Sequence, residues 1–134
     1  MNKVMTSIAE AVREKRDLKT TLYNVWTDGE GIVWVTYRRT QVAFVSKERN
    51  RIFLNTRGWL TPTTKNVINA ALEGAGSNAR VFQEKGKWCI RRWDADTFET
   101  INVGLFAPFD RFALPLLICG LGTLTEAEKY DGRI

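Results

Sequence analysis

The residues best suited to hold a charged ligand stand at the start of an expected helix, in the run Thr61-Pro62-Thr63-Thr64-Lys65. Threonine followed by proline is a favourable N-cap and N1 pair, because the hydroxyl accepts a backbone hydrogen bond and proline has no N–H to leave unused. The positive helix end also attracts anions such as phosphate. Lys65 is unfavourable there unless an anion offsets it. The run therefore has two interpretations, a purely structural cap or a cap that also binds phosphate.

Basic and aromatic residues alternate in two further segments, a pattern typical of single-strand binders. Cationic side chains neutralise phosphates, and rings stack on unpaired bases for about 1–3 kcal/mol each. The residues expected to contact phosphate are Arg38, Arg39, Arg57, Thr61, Thr63, Thr64, Lys65, Arg91 and Arg92. The residues expected to stack on bases are Trp34, Tyr37 and Trp93. The alternative is that the tryptophans are core residues, which is their commoner role.

The chain contains no histidine and only two cysteines, Cys89 and Cys119. The common zinc sites and the histidine-dependent nucleophiles therefore cannot form. Paired acids such as Asp94 and Asp96 could hold Mg²⁺, but an Asp-Ala-Asp-Thr run is typical of a hairpin turn. We expect the cysteines to be reduced structural thiols. The sequence thus predicts no catalytic residue, no metal site and no cofactor, and hence a protein that is not an enzyme.

Charge is distributed unevenly along the chain. Residues 1–93 hold 17 lysines and arginines against 8 acidic residues, a net charge of +9, whereas residues 94–134 hold 3 against 7, a net charge of −4. This asymmetry suggests a polyanionic partner; the alternative is that the basic residues are only the solvated faces of the strands. The apolar run 112–121 is shorter than the roughly 20 residues that cross a bilayer, and no secretory signal pattern is present. We expect a cytoplasmic protein without a membrane partner.

The length of 134 residues suits a single domain spanning 1–134. Val4, Ile8 and Val12 share a helical stripe, and Ser7 with Glu10 matches a capping box, which together predict a helix over residues 4–17. From residue 20 the apolar period becomes two. We predict an α+β fold, an antiparallel sheet built from hairpins with the N-terminal helix and one central helix packed on it. The sheet and central helix should occupy 20–103, followed by an apolar segment and polar tail over 104–134.

The expected strands come in pairs joined by turns. They lie over residues 22–26, 32–39, 41–46, 51–55, 80–84, 87–93 and 98–103, and the central helix should end at a C′ glycine, Gly74. Strand alternation puts Val33, Val35 and Tyr37 on one face and Trp34 on the other. In the strand 87–93, Trp88 and Ile90 should face the core.

A family resemblance is carried by the pattern Ile52-x-Leu54-Asn55-Thr56-x-Gly58-Trp59-x-Thr61-x-Thr63-Thr64-Lys65-x-x-x-Asn69. It resembles the core of a group of small bacteriophage proteins without a settled activity, and residues 81–88 match the segment that follows it there. The resemblance covers about residues 20–110. It departs at Val67, where those proteins often have arginine. A site that used this arginine would be weakened in this chain, unless Arg57 supplied the positive charge instead. The resemblance implies a phage origin and the cytoplasm of the host bacterium.

Two functions remain open at this point. The first is a non-catalytic phage accessory protein that binds nucleic acid, single-stranded or without sequence preference, through a basic and aromatic sheet face and a phosphate site at the helix N-terminus. The second is a phage-encoded inhibitor, for anti-defence or host takeover, that binds a host protein or sequesters a nucleotide. Residues 106–121 would then form the contact with the host protein or with a second copy of the chain. A contiguous basic face favours the first, and a concave pocket favours the second.

Overall fold

The computed structural model describes residues 2–49, 51–56, 61–77, 79–84, 87–93, 98–102 and 112–115. For Glu84, Lys87, Cys89 and the strand residues from Arg91 onward it describes the backbone alone. The elements in chain order are α1 (Lys3–Glu14), β1 (Leu18–Lys19), β2 (Tyr23–Thr27), β3 (Val33–Tyr37), β4 (Thr40–Val45), β5 (Arg51–Leu54), α2 (Pro62–Gly74), β6 (Ala79–Glu84), β7 (Lys87–Trp93), β8 (Phe98–Asn102) and β9 (Phe112–Pro115).

Helix α1 has a different cap from the one that the sequence predicts. Asn2 is the N-cap, and its side-chain oxygen accepts a 2.9 Å hydrogen bond from the backbone N–H of Met5. The predicted capping box is wrong, because Ser7 lies inside the helix and its hydroxyl donates to the Lys3 carbonyl. Serine commonly bonds back to the preceding turn in this way. The helix ends at Glu14 and not at residue 17, since Lys15 adopts a left-handed φ of 54°.

The apolar face of α1 is rotated slightly from the predicted stripe. Ile8 and Val12 are fully buried as predicted, but Val4 is 43% exposed and Met5 is buried in its place. Residues three and four positions apart share a helix face, so either spacing from Ile8 is compatible with burial. The helix packs this face on the sheet and on α2.

A six-stranded antiparallel sheet forms the centre of the fold, in the order β1-β2-β3-β4-β5-β9. One of its faces is covered by α1 and α2, and its side chains there are almost completely buried. This face supplies Val25, Val33, Val35, Val45, Ile52 and Leu54 to a hydrophobic cluster that also includes helix residues Ile8, Val12, Ile68 and Leu72. We call the opposite side of the sheet the outer face.

Two strands of this sheet are absent from the sequence prediction. β1 is only two residues long, too short to show a period, and pairs with β2. β9 pairs with β5, and Pro115 stands opposite Arg51. Proline is tolerated in strands chiefly at a sheet edge, and in the described sheet β9 has a neighbour on one side only. β9 belongs to the 106–121 segment in which the sequence suggests a partner contact, and the rest of that segment lies outside the described residues.

The left-handed glycine that follows helix α2 lies two residues later than the sequence predicts. Gly74 is the last helical residue, and the left-handed glycine is Gly76, with φ at 84°. Gly74 instead marks the contact between the helices, because a Cβ there would overlap the Ala9 carbonyl oxygen and lie 2.7 Å from the Val12 Cβ. The prediction of Gly74 as a C′ residue is therefore wrong, and close helix packing explains the glycine.

The strands β6, β7 and β8 form a second antiparallel sheet, joined to the first through α2. The Asn69 amide of α2 donates to the Val81 carbonyl at 2.9 Å and accepts from the Val81 N–H at 2.7 Å. It therefore takes the place of a neighbouring strand at this point of β6. Trp88 and Ile90 belong to the shared core, as predicted, at 4% and 0% exposure. The α+β fold class is confirmed, with the strands divided between two sheets.

Candidate functional site

The outer face of the six-stranded sheet carries four aromatic rings side by side. Trp26, Trp34, Phe44 and Phe53 stand in direct register on adjacent strands β2 to β5. Neighbouring ring centroids are 6.3, 4.8 and 4.5 Å apart, so the four rings form a continuous line across the four strands. We call these four residues the aromatic row. The described core cluster includes none of them, and Trp26, Trp34 and Phe44 are only half-buried.

A β-bulge is needed to complete the aromatic row. The register between β3 and β4 shifts at Val35 and Thr36, which inserts Val42 as one extra residue on β4. A one-residue shift moves each following side chain to the opposite face. Without it, Phe44 would face the helices. Both Val42 and Ala43 are buried, and Phe44 then pairs with Phe53 on β5.

The sequence predicts Trp34 at this surface but not its three companions. For Trp26 and Phe53 the missed signal was the same alternation of buried and outward-facing side chains on their own strands. Phe53 stands between the fully buried residues Ile52 and Leu54, as Trp34 stands between Val33 and Val35. Phe44 could not be assigned by alternation, because the bulge interrupts the period.

The indole of Trp34 is held in place by Asp28, in the turn between β2 and β3. The Trp34 Nε1–H donates to Asp28 Oδ2 at 2.9 Å. The other carboxylate oxygen accepts from the backbone N–H groups of Glu30 and Ile32, at 2.8 and 3.0 Å. The hydrogen bond from Trp34, followed by the backbone bonds, holds the pKa of Asp28 below its ordinary value. The turn therefore fixes the orientation of one ring in the aromatic row.

A groove of about 480 Å³ adjoins Trp26 at one end of the aromatic row. Its lining residues are Asn24, Trp26, Thr36, Arg39, Thr40 and Gln41. A second groove, of about 320 Å³, lies on the β1 side of the same tryptophan and is lined in part by Lys19. Trp26 and Asn24 thus form a ridge shared by both grooves. Each groove brings a cationic residue near an aromatic ring.

Two of the predicted phosphate contacts, Arg38 and Arg39, form the two-residue turn between β3 and β4. Both are exposed and both have left-handed backbone, with φ at 52° and 64°. The Arg38 Nε donates to the Tyr37 hydroxyl at 3.1 Å, a contact that raises the pKa of Arg38. Arg39 lines the larger groove beside Trp26. The structure therefore brings Arg39, and not Arg38, to the aromatic row.

Tyr37 lies on the helix-covered face, away from Trp34. It is 7% exposed, belongs to the core cluster and stacks on Tyr23 with centroids 5.6 Å apart. Strand alternation separates positions 34 and 37, as the sequence already indicates. A stacking contact between Tyr37 and a bound base therefore finds no support in its position, and the prediction is corrected to a core tyrosine that anchors Arg38.

The predicted cap of α2 is present. Thr61 is the N-cap, its hydroxyl oxygen accepts from the Thr64 N–H at 3.2 Å, and Pro62 follows at the first helical position. The Thr61 and Thr64 hydroxyls lie 3.1 Å apart, and Thr64 is fully buried. Thr61 and Thr64 therefore make the contacts expected of a purely structural cap. Thr63 and Lys65 are half-buried in the same first turn, which contains no acidic residue.

The remaining predicted site residues are described less fully. Arg91, Arg92 and Trp93 lie on β7, in the second sheet and not beside the aromatic row. Their side chains, and the whole of Arg57, lie outside the described residues. Within the described ranges, no three histidine, cysteine or acidic side chains are grouped as metal ligands, and no helix is long and apolar enough to span a bilayer.

Fold and site together define a small, basic α+β protein with a partly exposed aromatic surface. A family model described as Kyanoviridae Gp96 protein matches residues 1–110. The chain therefore belongs to this phage protein family, in agreement with the phage resemblance of its 52–69 pattern. No curated protein and no solved structure gives a significant match.

Proposed function

We propose that this protein is a non-catalytic phage accessory protein that binds single-stranded nucleic acid in the cytoplasm of the host bacterium. The observation that carries the proposal is the aromatic row, which ends at Trp26 between two grooves that contain Arg39 and Lys19. Single-strand binders combine rings that stack on bases with cations that contact the backbone. The outer face supplies both.

The ring geometry supports Trp26 as the stacking position. Trp34 lies between Trp26 and Phe44, with ring planes tilted by 19° and 36° to theirs, so its neighbours occupy both sides. Trp26 has one ring neighbour among the described residues, and grooves adjoin it. A base placed against Trp26 would extend the row by one ring. Trp34 then supports the stack from behind and does not contact the base itself.

Single-stranded ligands suit this geometry better than a duplex. Bases in a duplex already stack on each other, so their faces are not available to a protein ring unless the duplex opens. Unpaired bases can be splayed onto a sheet, as in other sheet-based binders. The positive net charge of residues 1–93 would attract the backbone without regard to sequence.

A second function is favoured by one observation. The groove beside Trp26 has a volume of about 480 Å³, which is within the usual range for small-molecule sites. A phage inhibitor that sequesters a nucleotide would use the same ring and the same arginine. A free nucleotide that competes fully with oligonucleotides at equal affinity would favour this alternative, because a strand gains contacts beyond one nucleotide.

The proposal is tested by titrating labelled single-stranded and duplex DNA and RNA with the protein at two salt concentrations. We expect tighter binding to single strands, with an affinity that falls steeply as salt rises. Equal affinity for duplex and single strands would contradict the stacking geometry. No binding to any of the four at low salt would overturn the proposal and leave the inhibitor alternative.

Arg39→Gln and Arg13→Gln form a matched pair for the same assay. Both arginines are exposed, but Arg39 lines the groove and Arg13 lies on α1, on the other side of the sheet. We expect Arg39→Gln to weaken binding and to reduce the slope of log affinity against log salt by about one. Arg13→Gln should leave both nearly unchanged. Equal effects would mean that only net charge matters.

A further inference from the structure

The groove on the β1 side of Trp26 is bordered by one acidic and one basic side chain. Its volume is about 320 Å³, and its lining residues are Asp17, Leu18, Lys19, Asn24, Val25 and Trp26. This volume is within the usual range for small-molecule sites. β1 pairs with β2 through Leu18 opposite Val25 and Lys19 opposite Asn24. Continued by one residue, this register places Asp17 opposite Trp26.

Asp17 and Lys19 lie on the same side of the sheet as the aromatic row. Leu18, between them, packs against the core cluster, and neighbouring residues of an extended chain point to opposite faces. Both charged side chains are exposed. Trp34, on β3, occupies the other side of the Trp26 ring. A base stacked on the open side of Trp26 would therefore lie over β1, with the Asp17 carboxylate at its edge.

The Asp17 carboxylate is free to accept hydrogen bonds from a ligand. Its acidic neighbour in sequence, Glu14, forms an ion pair with Arg16 at 3.5 Å. Within the part of the chain that the structure describes, the Asp17 side chain has neither an ion pair nor a hydrogen bond. A free carboxylate on a surface that binds a polyanion repels phosphate. This repulsion is offset if the carboxylate binds N–H groups of a base.

We propose that this groove is a guanine subsite, in which the base stacks on Trp26 and donates two hydrogen bonds to the Asp17 carboxylate. This inference rests on the proposed function. A carboxylate only accepts hydrogen bonds, and it can accept two side by side. Among the nucleic-acid bases, guanine alone presents two adjacent donors on one edge, the ring N1–H and the N2 amino group. Hydrogen bonds to an ionised acceptor are also stronger than neutral ones.

The other bases present at least one acceptor to the same carboxylate. Adenine and cytosine place a ring-nitrogen acceptor beside their amino group, and thymine and uracil place a carbonyl on each side of their single N–H. Each of these acceptors is repelled by the second carboxylate oxygen of Asp17. Lys19 keeps its role as a contact to the phosphate backbone and strengthens binding of every base alike.

The test uses oligo-dT in which one central thymine is replaced by guanine, adenine, cytosine or hypoxanthine. A single guanine avoids the self-association of guanine runs, and adenine controls for the larger ring. We expect the wild-type protein to bind the guanine oligonucleotide about tenfold more tightly than the adenine, cytosine and unmodified ones at the same salt. Hypoxanthine is guanine without the N2 amino group, so its affinity should lie between these values.

Asp17→Asn separates recognition of guanine from simple repulsion of phosphate. The variant replaces one acceptor oxygen by a donor, so the preference for guanine should fall towards one. Its affinity for oligo-dT should rise slightly, because a negative charge is removed. Glu14→Gln is the matched control, since it removes the same charge from an exposed residue that does not line the groove. It should leave the preference for guanine unchanged. Lys19→Gln should weaken binding of all the oligonucleotides equally.

The outcomes separate the subsite from the function on which it rests. Equal binding of the guanine and adenine oligonucleotides would overturn the subsite and leave single-strand binding intact. So would an Asp17→Asn variant that binds every oligonucleotide more tightly by the same factor, because the carboxylate would then only repel phosphate. Failure of the wild-type protein to bind any oligonucleotide would instead overturn the proposed function.

Discussion

On the outer face, the side chain of Trp34 is positioned by its hydrogen bond to Asp28 in the turn between β2 and β3. One carboxylate oxygen of Asp28 closes the turn and the other orients the indole of Trp34. A carboxylate that accepts several N–H groups is stabilised in its charged form. The indole of Trp34, next to the stacking position at Trp26, is therefore held by the ionised carboxylate of Asp28.

This hydrogen bonding predicts the pH dependence of stability. The pKa of Asp28 is lower in the folded chain than its ordinary value of 3.8, so its charged form stabilises the fold at pH values above about 4. That contribution is lost as pH falls through the lowered pKa. We expect wild type to exceed Asp28→Asn in unfolding free energy by a constant amount from pH 7 to about pH 5, and the difference to shrink below pH 4. Urea unfolding across this range measures it, and a difference independent of pH would contradict the assignment.

The contact between the helices depends on one glycine. A methyl group at Gly74 would overlap the Ala9 carbonyl oxygen, so α1 and α2 would have to separate. We expect Gly74→Ala to lower the unfolding free energy by about 1–3 kcal/mol, the usual cost of overpacking. Gly29→Ala is the control, because a Cβ there meets nothing within 4 Å and should leave stability nearly unchanged. Equal stability of the two variants in urea unfolding would rule out the close contact.

Among the elements, the turn between β3 and β4 combines backbone strain with charge. Left-handed backbone at both central residues of a two-residue hairpin is usually occupied by Asn-Gly, not by two arginines. Each non-glycine residue there costs about 1 kcal/mol or more. Arg38 and Arg39 both adopt this unfavourable conformation, which would be explained if their charges serve binding.

Replacing the turn by Asn-Gly should therefore separate stability from binding. For the double variant Arg38→Asn and Arg39→Gly we expect an unfolding free energy higher by about 1–2 kcal/mol. Affinity for single-stranded oligonucleotides should fall for every sequence alike, because two cations are lost. The control that replaces both by lysine keeps the charges and the strain, and should keep most of the affinity. A stabilised Asn-Gly variant with unchanged affinity would remove the turn from the binding site.

The elements that the sequence predicts correctly are those long enough to show an apolar period between turn residues. The seven strands from β2 to β8 and helix α2 follow from alternation, turn residues and the Thr61 cap. The bulge at Val42 could not be predicted, because it depends on the register with β3 and not on local preference. For the same reason Phe44, and with it the full aromatic row, emerges only from the folded sheet.

At the scale of the whole molecule, the fold divides the basic and aromatic segments of the sequence between two sheets. The sequence groups Arg38 and Arg39 with Arg91 and Arg92, whereas the structure places the two pairs on different sheets. Sequence patterns cannot show which strands become neighbours across 50 residues of chain. The surface at Trp26 and Arg39 is the part of the candidate site that the tertiary structure assembles.

The most direct test of binding at this surface is the affinity of Trp26→Leu for a single-stranded oligonucleotide. Leucine keeps an apolar side chain on β2 but removes the ring on which a base would stack. Loss of one stacking contact, about 1–3 kcal/mol, predicts an affinity roughly 5- to 150-fold lower than that of wild type at the same salt. Circular dichroism and urea unfolding of the same samples confirm that the variant is folded. A folded Trp26→Leu protein that binds as tightly as wild type would contradict the assignment of the outer face as the binding surface.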